Sequence, residues 1–491
     1  MILAHDLGTT GDKAALYSAE GALVAATTAR YGTAYGPGGR VEQDPGDWWR
    51  ATGAASRALL EQTGVRPEEL ACVSFSGQMM GALLLDAHGE PVRPAMIWAD
   101  TRSTAQCDRL VERIGMERGY ELTGHRLNPT YSLTKAMWVR EHEPEAFART
   151  RHVVLAKDYV AFRLTGVLAT DPSDASSTNA FDQRAGRWSD EVLAAAEFDR
   201  SLFPEVVPST TVLGPVTAAG ARETGLAAGT PVVLGGGDGP CAALGAGVIS
   251  AEAGAYTYLG SSSWVSMAAD APLHDRAMRT MTFNHVLPGA YVPTATMQAG
   301  GASMEWISEV LDERPAALGD AAAGVEAALE GLLFLPHLLG ERSPYWNPNA
   351  RGAFIGLQRH HGRAHLARAV LEGVAMNLRS GLEAFEEMGA RIETVDAIGG
   401  GAASDTWLQV LADVWGKEVR RRSLVDEANA LGAAVVGGVG VGVFAGFEVA
   451  RGFSALGAAF RPDAERHERY RARYAQFLDA YRRLEPLFDV L

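Results

Sequence analysis

At 491 residues, 47% apolar and 21% charged, the chain has the composition of an ordinary globular protein and is too long for a single hydrophobic core. Two domains of roughly 200 to 250 residues are expected, with ligand sites between them. A net charge of −15 excludes nucleic acid or an anionic membrane as the main partner, because both need a basic patch. An anionic ligand must therefore be met locally, by arginine or by one of the lysines Lys13, Lys135, Lys157 and Lys417. Cys72, Cys107 and Cys241 contain no C-x-x-C pair, which argues against a disulfide framework or zinc and suits a reducing compartment. No basic or apolar leader precedes Asp6, so the cytoplasm is the expected location.

In chain order, Met1 to Asp6 is an apolar run that breaks at Gly8, Thr9 and Thr10 and resumes at Lys13 to Tyr17 and Ala22 to Ala26, the pattern of consecutive strands with tight turns. Trp48 to Gln62 has helical spacing, Leu70 to Ser76 reads as a strand and Ser103 to Ile114 as a helix. The order recurs later. Strands at Pro231 to Leu234, Ala255 to Leu259 and Thr394 to Ile398 each stop at glycine, with helices predicted at Ala364 to Glu386 and Asp405 to Trp415. Interleaved strands and helices give an α/β class, and two similar halves suggest a duplicated pair of domains dividing near Gly245 to Ala251. The uncharged stretch Ala430 to Phe447 approaches the length of a membrane span, but its glycines predict a buried helix running into a turn near Gly437 and Gly438. Asp463 to Leu491 reads as a charged amphipathic helix with a solvated face.

The G-x-x-x-x-G-K-[ST] loop, a G-x-G-x-x-G after a strand and H-E-x-x-H are all missing from the sequence. A phosphate can instead be met by His5-Asp6-Leu7-Gly8-Thr9-Thr10-Gly11-Asp12-Lys13, where glycines let backbone N–H groups approach an anion and Thr9, Thr10 and Lys13 add donors and charge. Asp6 beside such a loop can hold Mg²⁺ through water. Gly260-Ser261-Ser262-Ser263 can embrace phosphates from the other side, and Gly399-Gly400-Gly401-Ala402 leaves room for a nucleoside. Three such strand ends in two halves form the pattern of an actin-like ATPase. His361 and His365 have the i, i+4 spacing of metal ligands, but a structural role is the preferred reading.

Trp98-Ala99-Asp100-Thr101-Arg102, Phe334-Leu335-Pro336 through Gly340-Glu341-Arg342-Ser343-Pro344, and Asn349-Ala350-Arg351-Gly352, together with Asp6 to Thr10, resemble the FGGY carbohydrate kinases, and within them the xylulokinases. Ser132, Lys135, Trp138, Val139, Glu141 and His142 follow one family signature, which departs at Thr130 and Ala136. Gly352, Phe354, Gly356, Leu357, His365, Leu366, Ala369, Val370, Leu371 and Glu372 satisfy a second. The resemblance covers essentially the whole chain. It implies two RNase H-like actin-type domains, 1–247 and 248–491, that close over ATP, Mg²⁺ and a small sugar or polyol.

The resemblance also assigns roles. Asp238 would be the catalytic base and Asp6 the metal-holding carboxylate, with Gly8, Thr9, Thr10 and Lys13 along the γ-phosphate. Gly260 and Ser261 would touch phosphate, while Gly400, Gly401, Ala402 and Asp405 would surround the nucleoside. Gln78, Met79, Met80 and Trp98 would face the sugar beside Asp238. The expected reaction is ATP-dependent phosphorylation of D-xylulose or a related ketopentose or polyol; ribulose, glycerol, a tetritol or gluconate are the alternatives, and a non-catalytic ATPase switch is the reading from another class. A homodimer is compatible with the sequence. Xylulokinases typically read G-Q-M-H-G and D-N where this chain has Gly77-Gln78-Met79-Met80-Gly81 and Asp238-Gly239, which removes two polar sugar contacts.

Overall fold

The computed structural model describes residues 1–423 and 427–491, and among these it forms two seven-stranded mixed sheets of matching plan. In the first, Ile2–Leu7, Gly11–Tyr17 and Leu23–Arg30 run antiparallel, Cys72–Gly77 lies parallel to Ile2–Leu7, Pro231–Val233 adds in parallel, and Val212–Pro215 forms an antiparallel edge. In the second, Ala255–Leu259, Ser263–Met267 and Tyr291–Met297 are the antiparallel trio. Thr394–Ile398 and Glu418–Arg422 then follow in parallel, Leu456–Phe460 closes that edge, and Met281–Asn284 extends the other. The duplication predicted from the glycine strand ends is thus a repeat of topology.

Parallel neighbours need a crossover, and helices supply it: Pro45–Thr63 precedes Cys72–Gly77, Arg363–Glu387 precedes Thr394–Ile398, and Asp405–Trp415 precedes Glu418–Arg422. Cys72–Gly77, central in its sheet and covered on both faces, is buried at every position, its two serines included. The C-terminal helix Ala464–Phe488 starts at the Asp463 cap and turns Tyr470, Tyr474, Phe477, Tyr481 and Phe488 inward, leaving its arginines in solvent.

One helix belongs to the second half by sequence and to the first by packing. Ala428–Gly440 lies on the first sheet, with Leu431 and Val435 in one core cluster with Ile2, Cys72 and Val233. This corrects the turn expected at Gly437 and Gly438, through which the helix continues to Gly440. A Cβ on Gly437 would come within 2.8 Å of the Ser74 Cβ, and one on Gly438 would enter the Phe444 ring, so these glycines permit close approach and do not break the helix. No described helix is long and apolar enough to cross a membrane.

Candidate active site

Three strand ends of the first sheet meet at Ser76, which pairs with Asp6 on one side and Gly236 on the other. The Ser76 hydroxyl donates to the Asp6 carboxylate at 2.7 Å, and Asn429, at the start of the borrowed helix, donates to the same oxygen at 3.4 Å. Burial raises the Asp6 pKa despite these donors and the opposing charge of Lys13, its partner across the hairpin. Beyond Asp6 the chain folds back tightly. The Gly8 N–H, expected to meet an anion, is engaged with the Gly11 carbonyl at 3.0 Å, and Gly11 is glycine because a Cβ there would lie 2.7 Å from the Ala29 carbonyl. Thr9 is fixed by the Trp98 indole N–H, which donates to its hydroxyl at 2.9 Å, and Thr10 is exposed at the rim.

Asp238 follows the side-chain-free strand Gly236–Gly237 and opens the helix Asp238–Gly245. A Cβ on Gly237 would lie 2.6 Å from the Met79 Cε, so a side chain there would displace the Met79 thioether from the cavity wall. The Asp238 carboxylate accepts the Gly239 N–H at 2.8 Å. Desolvation first, and the charge of Asp6 second, push its pKa up to about 7, while Arg342 opposes the shift. The Arg342 guanidinium stands 5.0 Å over the Trp98 ring, so a chain of strongly negative charge presents a cation where an anionic group would arrive.

Asp6, Gly8, Thr9, Met79, Met80, Trp98, Asp238 and Arg342 line a cavity of about 330 Å³. Tyr258, Trp264, Met281 and Phe283 of the second half form its opposite wall. That wall is rigid: Tyr258 stacks on Trp264 with centroids 4.2 Å apart, and the Trp264 N–H donates at 2.9 Å to Tyr256, whose hydroxyl reaches across to the Gly239 carbonyl at 3.2 Å. Gln78, expected to meet the sugar, turns elsewhere. Its side-chain amide donates to Gln43 at 2.8 Å, and Gln43 in turn donates to the Thr9 carbonyl at 2.6 Å, so Gln78 braces the threonine turn.

A second cavity of about 760 Å³ is lined by Gly260, Ser261, Gly400, Gly401 and Asp405, and Tyr258 belongs to both cavities. Gly399 takes a left-handed φ of 86° to turn the chain there. Ala402 is fully buried, and its carbonyl accepts the Arg421 Nε at 2.6 Å, so it anchors the loop and leaves the lining to its neighbours. Arg421 also pairs with Asp405 at 2.5 Å.

The structure therefore gathers Asp6, Gly8, Thr9, Met79, Met80, Trp98 and Asp238 in one cavity and Gly260, Ser261, Gly400, Gly401 and Asp405 in the next. Arg342, Asn429 and Tyr258 carried no assigned role in the sequence reading. The signals were a lone arginine after the apolar run Phe334 to Gly340 and a lone amide heading the uncharged run from Ala430.

The donor set at Asp6 fits Mg²⁺: a desolvated carboxylate of raised pKa, facing a cavity with a second carboxylate at Asp238, offers hard oxygen ligands in need of a cation. The histidines fit a metal less well. Glu330, His360 and His361 bring ligand-type atoms within 4.8 Å of one another. However, the Nδ1 atoms of His361 and His365 accept the N–H groups of Gln358 and Gly362 at 3.0 and 3.2 Å. In the neutral ring this places the proton on Nε2, the atom that His365 turns to Glu330 at 3.4 Å. Helix capping and the contact with Glu330 account for that arrangement.

Sequence comparison matches residues 1–245 to the N-terminal domain, and residues 255–441 to the C-terminal domain, of the FGGY family of carbohydrate kinases. A xylulose kinase of Escherichia coli (strain K12) is 35% identical over 489 residues, 99% of this chain and 100% of that protein. One of Bacillus subtilis (strain 168) is 33% identical over 494 residues, 100% of this chain and 98% of that one. The ligand-bound xylulose kinase of Lactobacillus acidophilus superposes with a TM-score of 0.93 at 25% identity, covering 99% of this chain and 98% of the other. With its two halves matched in order, its α/β domains meeting at the smaller cavity and its relatives aligned end to end, this chain belongs to the FGGY family of carbohydrate kinases.

Proposed function

We propose that this sugar kinase transfers the γ-phosphoryl group of ATP to a hydroxyl of D-xylulose or a related ketopentose or polyol, with Asp238 as the base. The observation that carries the reading is Asp238 itself: a carboxylate with a pKa of about 7, facing a sugar-sized cavity that shares Tyr258 with a larger one. A base poised near the working pH combines the ionised form with a useful affinity for the proton. Asp238 accepts the hydroxyl proton as the oxygen attacks phosphorus, and ADP leaves. Thr9, Lys13 and Arg342 supply donors and charge to the phosphoryl oxygens, and Gly8 and Thr10 shape the turn that brings them there. Mg²⁺ would be held by Asp6 through water and would neutralise charge developing on the phosphates. Gly260 and Ser261 serve the nucleotide phosphates, and Gly400, Gly401 and Asp405 the nucleoside.

The domains are taken as 1–247 and 248–491, with the helix Ala428–Gly440 crossing back onto the first. Cys72, Cys107 and Cys241, all buried and unpaired, suit the reducing cytoplasm. A homodimer is the proposed assembly. Glycerol, gluconate, ribulose and tetritols are the competing acceptors. The deciding experiment is ADP release by the purified chain with ATP–Mg²⁺ across a panel of these acceptors. Release stimulated by a ketopentose or polyol supports the reading, and release indifferent to every acceptor overturns it in favour of an ATPase switch.

A further inference from the structure

We infer that the short segment Asp171–Thr178 is a positioning scaffold in which three serine hydroxyls hold three different walls of the sugar cavity. The inference rests on reading Asp238 as the base and Met80 as sugar-facing. The segment is a helical turn, Pro172–Ala175, capped by the Asp171 carboxylate, followed by a second turn, Ser176–Thr178. Ser173, Ser176 and Ser177 are fully buried yet lie outside the cavity lining.

Each hydroxyl is used with the same polarity: its proton goes to the segment and its lone pair to a backbone N–H of a cavity wall. Ser173 donates to the Asp171 carboxylate at 2.5 Å and accepts the Gly237 N–H at 2.9 Å, one residue before Asp238. Ser177 donates to the Asp174 carbonyl at 2.7 Å and accepts the Met80 N–H at 3.2 Å. Ser176 donates to the Ser173 carbonyl at 2.8 Å and accepts the Asn284 N–H at 3.0 Å, at the end of the strand whose Met281 and Phe283 face the cavity from the second half. Base strand, sugar-facing loop and opposite wall are thereby tied to one element.

The anchor beneath is ionic. Asp171 also accepts the Ser209 hydroxyl at 2.7 Å and meets the Lys157 ammonium at 3.0 Å, and that ammonium contacts Asp158 at 2.7 Å and Asp174 at 3.1 Å. The fit against the glycine strands is close: a Cβ on Gly236 would lie 2.8 Å from the Ser173 Oγ, and one on Gly77 would lie 2.9 Å from the Lys157 Cβ. The Met80 backbone needs such support. Its φ of 63° is unusual for a long side chain, and besides Ser177 it has the Lys135 ammonium on its carbonyl at 2.9 Å. Removing any of the three hydroxyls strands a buried N–H, which then moves toward another acceptor and takes its wall along.

The test is steady-state kinetics on the full chain carrying Ser173→Ala or Ser177→Ala, with melting temperatures alongside. Ser173→Ala is expected to lower kcat about tenfold or more, as loss of near-attack geometry does, with sugar KM little changed. It should also move the acid limb of kcat/KM to lower pH as Asp238 relaxes toward water. Ser177→Ala is expected to raise sugar KM and reorder the acceptor panel while keeping most of kcat. If an alanine variant does not fold, Ser173→Cys and Ser177→Cys keep the volume with a weak acceptor and should show the same split. Equal losses of kcat that track melting temperature in both positions, with the pH profile and the acceptor ranking unchanged, would reduce the segment to ordinary core and overturn the inference. A wild-type chain unresponsive to every acceptor strikes the proposed function instead.

Discussion

Asp6, on one strand beside Cys72–Gly77, and Asp238, the residue after the strand on the other side, face one cavity, and after burial it is the charge of Asp6 that holds the Asp238 carboxyl up at about 7. A base must be ionised to act, so kcat/KM for the sugar is expected to fall as pH drops below about 7. Asp6→Asn removes the raising charge and should move that acid limb to lower pH, whatever it does to the rate. A limb at the ordinary carboxylate value in wild type, or one unmoved by Asp6→Asn, contradicts the coupling.

The same shift is a statement about stability. Asp238 titrates near 3.9 in the unfolded chain but at about 7 in the folded one, so the folded state binds the extra proton between these values. Its contribution is complete below the unfolded pKa and is lost as pH rises through the folded one. Asp238→Asn, which stays neutral, should therefore match wild type in melting temperature near pH 4 and exceed it at pH 8. A variant whose advantage shrinks from pH 4 to pH 8 would show the sign to be wrong.

Asp238→Ala is expected to keep nucleotide affinity, because Asp238 lines only the smaller cavity and the glycine loops line the larger. Turnover should fall by roughly 10²- to 10⁴-fold. Calorimetry with ATP–Mg²⁺ beside a coupled assay separates the two effects. A variant within about threefold of the wild-type rate, far less than a general base supplies, would remove Asp238 from the mechanism.

Asp6 and the glycine loops were legible because strand ends with glycine and hydroxyl residues signal a backbone site whatever the tertiary packing, whereas Asp238 took its role from the family resemblance. Gln78 was not, since its direction depends on Gln43, 35 positions away in sequence. Gly437 and Gly438 misled for a related reason: a glycine inside a helix is punctuation in one dimension and a contact surface in three, here for Ser74 and Phe444. Arg342 lies in a stretch that carried the resemblance without a role, Asn429 lies in none, and both reach the cavity only once the two halves are assembled.

The smaller cavity is lined from both halves, the larger one adjoins it at Tyr258, and Tyr256 already spans the halves to Gly239 at 3.2 Å. Binding of ATP and sugar is expected to close the halves further, excluding water that would otherwise compete for the phosphoryl group. Small-angle scattering should show a smaller radius of gyration with both ligands saturating than with neither. A constant radius across the titration would count against a hinge.

Met80 and Gly239 mark where this chain leaves the xylulokinase pattern, and the geometry shows that the pattern residues can be restored. A Cβ on Gly239 would meet only the Met79 sulfur, at 3.8 Å, so a side chain has room. The left-handed φ of 63° at Met80 is one that histidine adopts more readily than most residues. As it stands, the wall formed with Met79, Met281 and Phe283 is apolar, and a thioether cannot pair with a sugar hydroxyl as an imidazole does. Each missing contact is worth about 0.5 to 1.5 kcal/mol, so two together lower kcat/KM for a fully hydroxylated ketopentose by about 5- to 150-fold. The expected best acceptor therefore has a hydroxyl missing, inverted or displaced at that end, and Met80→His with Gly239→Asn should return preference to D-xylulose. A panel of ketopentoses, pentitols, tetritols and hexonates run on both proteins decides it: D-xylulose leading the wild-type panel, with no gain in the double variant, would refute the altered preference and leave the kinase assignment standing.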